Sequence, residues 1–269
     1  MSTSTTCDSA PPAIARRGGL RVRAVAFIVH LCVSLCVAAG VLALVYLGWY
    51  PSPLDRASGV GEILLLLLAA DVTLGPILTF VVFNPAKKSL RFDLAVIALM
   101  QLAALVYGMN AVEAGRPGYI VFVKDRFELV ARADLRDEDR REARSNPQAK
   151  LHWFSPRIVA ALPPESEKER QALMMEAVAG GRDLQHLPRL FVSYESQQEI
   201  ARGKARSIAS LRSLNPDRGA VIDAAVATAG LADAQLAFLP VKGPEADVAM
   251  LLEAATGKIL ALVDANPWD

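Results

Sequence analysis

The sequence predicts a membrane protein with three transmembrane α-helices followed by a small α+β extracytoplasmic domain with antiparallel hairpins. The first observation is the charge distribution, because residues 1–112 contain eight Lys and Arg and five Asp and Glu, whereas the remainder contains 21 and 23. The second is a set of three charge-poor segments in the first part, and the third is a pair of strand patterns at the carboxyl end. A net charge of +1 argues against a nucleic-acid-binding protein.

Three apolar segments, residues 24–54, 63–86 and 94–112, are each long enough to form a membrane span. Crossing a hydrocarbon core of ~30 Å takes roughly 20 mainly apolar residues in a helix. The first segment far exceeds the apolar stretch of a signal peptide, and Trp49, Tyr50 and Pro51 follow it instead of a small-residue cleavage site. We therefore predict a retained anchor.

The distribution of Lys and Arg at the segment ends predicts the orientation. Four arginines precede the first segment, only Arg56 lies in the first link, and three basic residues lie in the second link. Because cytoplasmic loops carry the excess of positive charge, the amino terminus and the second link are expected in the cytoplasm and the last ~150 residues outside. Residues 1–23, rich in Ser, Thr, Ala, Pro and Gly, are predicted to form a disordered cytoplasmic tail. The predicted domains are thus 1–23, 24–112 and 113–269.

The outside domain combines strand and helix patterns. Strands are expected at 119–123, 127–131, 157–162, 236–241, 248–253 and 259–264, an extended stretch at 187–194, and helices at 134–146, 165–179 and 195–214. The highly charged stretch 134–146 is typical of a solvated helix. All three cysteines lie before residue 37, so no disulfide is expected in this domain.

Catalytic and metal-binding patterns are missing from the sequence. The three histidines, His30, His152 and His186, are far apart and fit no zinc-ligand spacing. Neither a phosphate-binding glycine-rich loop nor a nucleophile elbow is present. We therefore predict no catalytic residue, no metal and no cofactor.

One carboxylate, Asp71, lies inside the second apolar segment, where a charge near the bilayer centre costs ~2.5–3.5 kcal/mol. Protonation, a bond to Thr73 or Thr79, a contact with Gln101 of the third segment, or a charged group on another protein would each compensate it. Asp71 therefore either fixes helix packing or offers a polar contact to a partner helix.

Gly75 and Pro76 follow Asp71 closely, and Pro76 removes a backbone donor and predicts a kink. Such a kink serves either internal packing or a groove for another helix. His30 is a further polar residue of the first segment, but sequence alone leaves open whether its depth matches that of Asp71.

The stretch that makes the chain recognisable is residues 71–108, DVTLGPILTFVVFNPAKKSLRFDLAVIALMQLAALVYG. Together with the exit Trp49-Tyr50-Pro51 and the segment YIVFVKDRFE after Arg116-Pro117, it resembles the type IV pilin accessory proteins of the TfpX/TfpZ type. The resemblance implies a multi-pass protein of the bacterial inner membrane with a periplasmic domain. It implies a non-catalytic accessory factor in type IV pilus biogenesis that assists the assembly or stability of the major pilin.

Residues within that stretch become the candidate site. Asp71, Pro76 and Gln101 are the hypothetical contact for the pilin helix, and the other residues that match the family motif are Gly75, Asn84, Lys87, Lys88, Arg91, Asp93 and Tyr107. For the basic residues of the second link, a purely topological role is the alternative. Two other classes stay open, namely a membrane-anchored periplasmic sensor or binding protein, and a subunit of a membrane enzyme or transporter. The latter is supported by Asp71 alone.

Overall fold

The structure, a computed structural model, describes residues 13–268, with side chains from residue 19 onward. The chain forms two compact units. The helical unit comprises the chain up to Val41 together with Leu65–Met109, and the sheet unit comprises Leu42–Leu64 and the chain from Asn110 onward. Residues 1–12 of the predicted tail lie outside the described range, whereas the chain from Ala13 is helical.

Three long apolar helices are present in the part of the chain that the structure describes, as predicted. They are α1 (Ala13–Ala43), which continues as a π-helix over Leu44–Trp49, α3 (Val60–Val82) and α4 (Leu90–Ala114). Each is long and apolar enough to cross a membrane. Many of their large apolar side chains point outward, which is the reverse of a helix in a water-soluble core.

Eight strands form one sheet in the sheet unit: β1 (Pro117–Val123), β2 (Arg126–Ala131), β3 (Arg157–Ala161), β4 (Phe191–Ser193), β5 (Arg206–Ser207), β6 (Leu236–Lys242), β7 (Val248–Glu253) and β8 (Ile259–Val263). Their order is β4-β3-β1-β2-β6-β7-β8, and β5 pairs with β6. The predicted hairpins β1–β2 and β7–β8 are both antiparallel, so this part of the prediction is confirmed.

The sheet is nevertheless mixed, which corrects the expectation of purely antiparallel pairing. β1 pairs in parallel with β3, and β2 pairs in parallel with β6. The long connection after β2 carries the chain back across the sheet, so that β3 runs in the direction of β1. Parallel neighbours need such crossovers, and these are hard to infer from strand patterns alone.

The helices of the sheet unit depart from the prediction. These helices are α2 (Leu54–Ser58), α5 (Asp137–Glu142), α6 (Glu167–Val178), α7 (Gln198–Lys204), α8 (Ile208–Leu214) and α9 (Gly219–Ala229). The helix predicted at 195–214 is wrong as a single element, because β5 separates α7 from α8 to pair with β6. Ser207 then begins α8 as its N-cap. No helix was predicted at the position of α9.

The charged stretch 134–146 is also different from the predicted solvated helix. Only α5 is helical there apart from short 3₁₀ turns, and the Asp139 side chain is 1% exposed. Its carboxylate pairs with the Arg182 guanidinium at 2.7 Å. The predicted extended stretch 187–194 contains a 3₁₀ turn at Pro188–Leu190 before the short strand β4.

The link between the first two apolar helices, residues 50–59, is built into the sheet unit, and we call it the docked loop. Leu54 and Ala57 belong to the main hydrophobic core, and Ala57 is 0% exposed. The Ala57 carbonyl accepts hydrogen bonds from the backbone N–H groups of Glu245 and Ala246 at 3.1 and 3.3 Å. The docked loop is therefore held by both side-chain burial and main-chain bonds.

Three buried tyrosines of the sheet unit donate their hydroxyls to backbone carbonyls. Tyr50 donates to Val112 at 2.6 Å, Tyr194 donates to Gly257 at 2.7 Å, and Tyr119 donates to Ala149. Burial raises the pKa of Tyr119 and of Tyr194 to about 12, and it raises the pKa of Tyr50 as well.

We expect the sheet unit to lose stability between pH 10 and pH 12. Tyrosines of the unfolded chain ionise near pH ~10. The stability from hydroxyls with raised pKa values is therefore complete below pH 10 and is lost as the pH rises through 12. Tyr194→Phe should lower the free energy of unfolding by about 1 kcal/mol at pH 7 and make the alkaline loss smaller. Chemical unfolding of the detergent-solubilised chain at pH 7, pH 10 and pH 12, followed by circular dichroism, measures these changes in the free energy of unfolding.

The matched control is Tyr107→Phe, because Tyr107 is 80% exposed and bonds to no group among the residues described. This variant should keep the wild-type stability at pH 7. An alkaline loss of the same size in wild type and Tyr194→Phe would contradict the prediction.

Candidate functional site: a polar cluster among the apolar helices

Four polar side chains of the helical unit meet in what we call the polar cluster: His30 of α1, Asp71 and Thr79 of α3, and Gln101 of α4. The His30 Nδ1 atom lies 2.6 Å from Thr79 Oγ1, and the His30 Nε2 atom lies 2.9 Å from Gln101 Oε1. Gln101 Nε2 donates to the Asp71 carbonyl at 3.0 Å and to Asp71 Oδ1 at 3.2 Å. All three long helices thus contribute side chains to a single network, and α3 contributes two.

The bonds of the polar cluster run in one direction. Gln101 Oε1 can only accept, so the His30 Nε2 atom carries the proton that it donates there. In a neutral imidazole the Nδ1 atom is then an acceptor, and the Thr79 hydroxyl donates to it. In that tautomer, donation passes from Thr79 through His30 and Gln101 to Asp71, and each of the four side chains has a partner within the cluster. Polar groups that lie among apolar helices require such hydrogen-bond partners.

Gly75 makes room for this arrangement. A Cβ atom at Gly75 would lie 2.0 Å from Gln101 Nε2 and 2.5 Å from its Cδ atom. Gly75 and Pro76 are both buried, and α3 continues through Pro76 without interruption. A small residue at a helix contact lets a neighbouring side chain approach the backbone closely. Gln101 uses that space to reach the Asp71 carbonyl.

Among the partners of Asp71 considered within the chain, the structure brings one into contact. Its contact is with Gln101, which was one of the alternatives, while Thr79 bonds to His30 and Thr73 donates to the Ala69 carbonyl of its own helix at 2.7 Å. Asp71 is only partly buried, and no side chain in the described part of the chain bonds its Oδ2 atom. One carboxylate oxygen is therefore open to a group from outside the chain.

His30 is the member that sequence reasoning could not place. Its depth relative to Asp71 was left open, and the structure brings both residues to the same amide, that of Gln101. A periodicity along one helix says which residues share a face, but it does not give the offset between two helices. The one feature of the sequence that could have indicated His30 as a member of the cluster is that it is a polar residue within an apolar helix.

The second link contains most of the remaining family-motif residues. The Asn84 carboxamide accepts from the Ala86 N–H at 3.1 Å and thereby shapes the turn after α3. Lys87 Nζ lies 2.5 Å from an Asp93 carboxylate oxygen in the first turn of α4. Lys88 and Arg91 are exposed. These contacts define a short, basic turn between the two helices.

Among the residues that the structure describes, no group of three or more His, Cys, Asp or Glu side chains is arranged to hold a metal ion. His186 is used structurally, because its Nδ1 atom accepts from the Asp183 N–H at 3.2 Å. Cys32 and Cys36 are free and exposed on α1.

An arginine held between two indole rings is a feature of the sheet unit that sequence analysis did not identify. The Arg116 guanidinium carbon lies 6.0 Å from the Trp49 ring centroid and 5.2 Å from that of Trp153. Arg116 Nε also lies 3.3 Å from a Glu113 carboxylate oxygen. Burial lowers the pKa of the Arg116 guanidinium below its usual value, and the nearby Tyr50 opposes this.

Comparison with known proteins assigns this chain to a family. The model of the Fimbrial assembly protein FimB family matches residues 19–59, which include most of α1 and the docked loop. A fimbrial assembly protein, serogroup I, from Dichelobacter nodosus is 30% identical over 215 residues, which are 79% of this chain and 83% of that protein. This chain belongs to the fimbrial assembly protein FimB family.

Two further fimbrial assembly proteins that are similar to this chain come from the same organism. The fimbrial assembly protein of serogroup E1 is 29% identical over 215 residues, covering 79% of this chain and 83% of the relative. The protein of serogroups C1 and C2 is 35% identical over 109 residues, which are 40% of this chain and 83% of that relative. No solved structure matches the chain. The predicted resemblance is thus confirmed as fimbrial assembly, and the TfpX/TfpZ subtype stays a prediction.

Proposed function

We propose that this chain is a non-catalytic accessory factor of type IV pilus biogenesis that acts on the major pilin from the bacterial inner membrane. Curated relatives named fimbrial assembly proteins support the role in assembly. The pilin as direct partner, the absence of catalysis and the inner membrane as location are our proposals. Among the residues described, Asp71 alone supports the membrane enzyme or transporter alternative.

In this proposal, α1, α3 and α4 span the bilayer, the amino terminus is cytoplasmic and the sheet unit is periplasmic. The outward-facing apolar side chains of the three helices support insertion. The exposed Lys88 and Arg91 of the second link support its cytoplasmic side, because basic residues accumulate there.

The observation that carries the proposal is the polar cluster. The cluster joins the three helices internally and leaves an apolar outer surface with one open carboxylate oxygen at Asp71. A pilin subunit waiting in the membrane presents an apolar helix and an outside globular head, as the family resemblance implies. A helper with an apolar helical surface and a folded outside domain can contact both parts. Asp71 then offers its open oxygen to a polar group of the pilin helix.

We predict that Asp71→Asn separates partner binding from folding. Asparagine keeps an oxygen that can accept from Gln101, but it replaces the open carboxylate oxygen with an NH₂ group, which cannot accept a hydrogen bond from a partner. We expect pilin co-purification and the number of surface pili to fall at least about fivefold, equivalent to about 1 kcal/mol of binding free energy. The thermal stability in detergent should stay within about 0.5 kcal/mol of wild type.

Thr73→Ala is the matched control, because Thr73 lies on the same helix and bonds only to its own backbone. This variant should keep both pilin capture and piliation. If Asp71→Asn and Asp71→Leu both retain wild-type piliation, Asp71 has no role in partner contact.

Photo-crosslinking in living cells tests the proposed partner directly. A photoreactive residue at Ile77, which is exposed beside Pro76, and one at Val178 of α6 probe the helical and outside surfaces. Pilin adducts at both positions, identified by mass spectrometry, are the expected result. A correctly inserted protein that gives no pilin adduct at either position or at Leu65 and Leu66 would refute direct action on pilin.

A further inference from the structure

Residues 151–156, Leu-His-Trp-Phe-Ser-Pro, form an exposed connection before β3 that we call the aromatic loop. Trp153 is 56% exposed and Phe154 is 61% exposed. Two large neighbouring rings that face outward from a folded domain mark a contact site, because water solvates them poorly. The question is what covers them.

Contacts within the sheet unit attach the aromatic loop to the end of the first apolar helix. The Trp153 and Trp49 ring centroids are 6.0 Å apart in an edge-to-face arrangement. Phe154 lies against Gly48, where a Cβ atom would be 3.3 Å from the phenyl ring. Trp49 is the last residue of the candidate span Gly19–Trp49. The two rings therefore contact the last two residues of that span.

Two backbone carbonyls of the aromatic loop are hydrogen-bonded within the sheet unit. The buried Arg116 guanidinium donates to the His152 carbonyl at 3.1 Å and also to the Trp153 carbonyl. Carbonyls bonded in this way need no water, which is a requirement for irregular backbone near the hydrocarbon region. The exposed Lys150 precedes the loop and suits a phosphate headgroup.

We infer that the aromatic loop inserts into the outer interfacial layer of the bilayer, where Trp153 and Phe154 contact lipid. The inference rests on the membrane placement given under the proposed function, and it adds a lipid contact of the sheet unit outside its three helices. Lipid is the occupant because the rings adjoin the helix end that leaves the bilayer, and because tryptophan favours the membrane–water interface.

Fluorescence quenching in vesicles tests this inference. The full chain, with Cys7, Cys32 and Cys36 replaced by serine, carries one new cysteine labelled with an environment-sensitive dye. Ser155→Cys reports on the loop and keeps both rings, Val178→Cys is the matched site on α6 with 81% exposure, and Leu66→Cys reports on α3. The protein is reconstituted into phosphatidylcholine and phosphatidylglycerol vesicles that contain spin-labelled lipid.

We expect strong quenching at positions 66 and 155, at least threefold above that at 178. Adding Trp153→Ser and Phe154→Ser should reduce the quenching at 155 to the level at 178. Quenching at 66 with none at 155 would refute the loop insertion while leaving the membrane placement intact. Absence of quenching at both 66 and 155 would overturn the membrane placement together with the inference. Because the vesicles contain no pilin, a failure of pilin binding cannot affect the result.

Discussion

Replacing Gly75 with alanine should destabilise the helical unit by about 1–3 kcal/mol and reduce piliation severely. The added Cβ atom would meet three atoms of the Gln101 carboxamide at 2.0–2.6 Å. Gln101 is flexible and can move away, but it then loses its bonds to the Asp71 carbonyl and to His30. Each lost bond costs about 1 kcal/mol, and hydrogen bonds between membrane helices average ~0.6 kcal/mol. Thermal unfolding in detergent and a count of surface pili measure the two effects.

Gly40→Ala is the control for the Gly75 substitution. Gly40 lies in α1 with no side chain or backbone of another element within 4 Å of its Cβ position. Alanine there should be neutral or stabilising by up to ~1 kcal/mol, because it is the better helix former.

A double-mutant cycle identifies the cause of the loss. In a Gln101→Ala background, Gly75→Ala should cost less than about 0.5 kcal/mol, since the clashing carboxamide is gone. An undiminished loss in that background would show that the polar cluster is not the reason.

Gly243→Ala should release the docked loop and destabilise the sheet unit by about 3 kcal/mol. A Cβ atom at Gly243 would lie 2.4 Å from the Ala246 carbonyl oxygen and 2.7 Å from that of Ala57. Both obstacles are backbone atoms, so no side-chain rotation relieves them. Overpacking costs about 1–3 kcal/mol, and the loss of the two bonds to the Ala57 carbonyl adds about 1 kcal/mol each if the loop withdraws.

Limited trypsin digestion detects the released loop, because Arg56 is a cleavage site within it. In the wild type, the Arg56 guanidinium bonds both carboxylate oxygens of Asp264 at 3.0 Å. The Gly243→Ala protein should be cut after Arg56 earlier than at other arginines, as mass spectrometry of the fragments would reveal. Gly203→Ala is the control, since the Cβ position of Gly203 in α7 has nothing within 4 Å. Equal cleavage after Arg56 in both variants would contradict the prediction.

The structural elements that depend on one local property of the sequence were predictable. The apolar helices follow from length and hydropathy, and the hairpin β7–β8 follows from two strand-forming stretches around Gly257. The backbone at Gly257 is left-handed, with φ +76°, and this conformation favours glycine, which explains the position of the turn. Likewise, an aspartate inside an apolar helix needs a polar partner, and Gln101 was among the candidates.

The docked loop could not be predicted because its burial depends on distant partners. In the sequence, Leu54 lies at the end of an apolar segment and Ala57 lies at the start of a polar link. No neighbouring residue indicates that the sheet covers them. The helix predicted at 195–214 failed for a related reason. Ile208 and Leu211 do face the core, but pairing of Arg206 and Ser207 with β6 outweighs the helical preference between α7 and α8.

The docked loop also constrains the order in which the chain can mature. Arg56 is made 208 positions before its partner Asp264. Leu54 and Ala57 therefore leave the ribosome long before the strands that cover them exist, and closing this contact must await the carboxyl end. The first two apolar helices thus have to tolerate an unfinished connection during synthesis. A chain that ends before β6 and β7 would leave Leu54 and Ala57 exposed, and we expect proteases to degrade it.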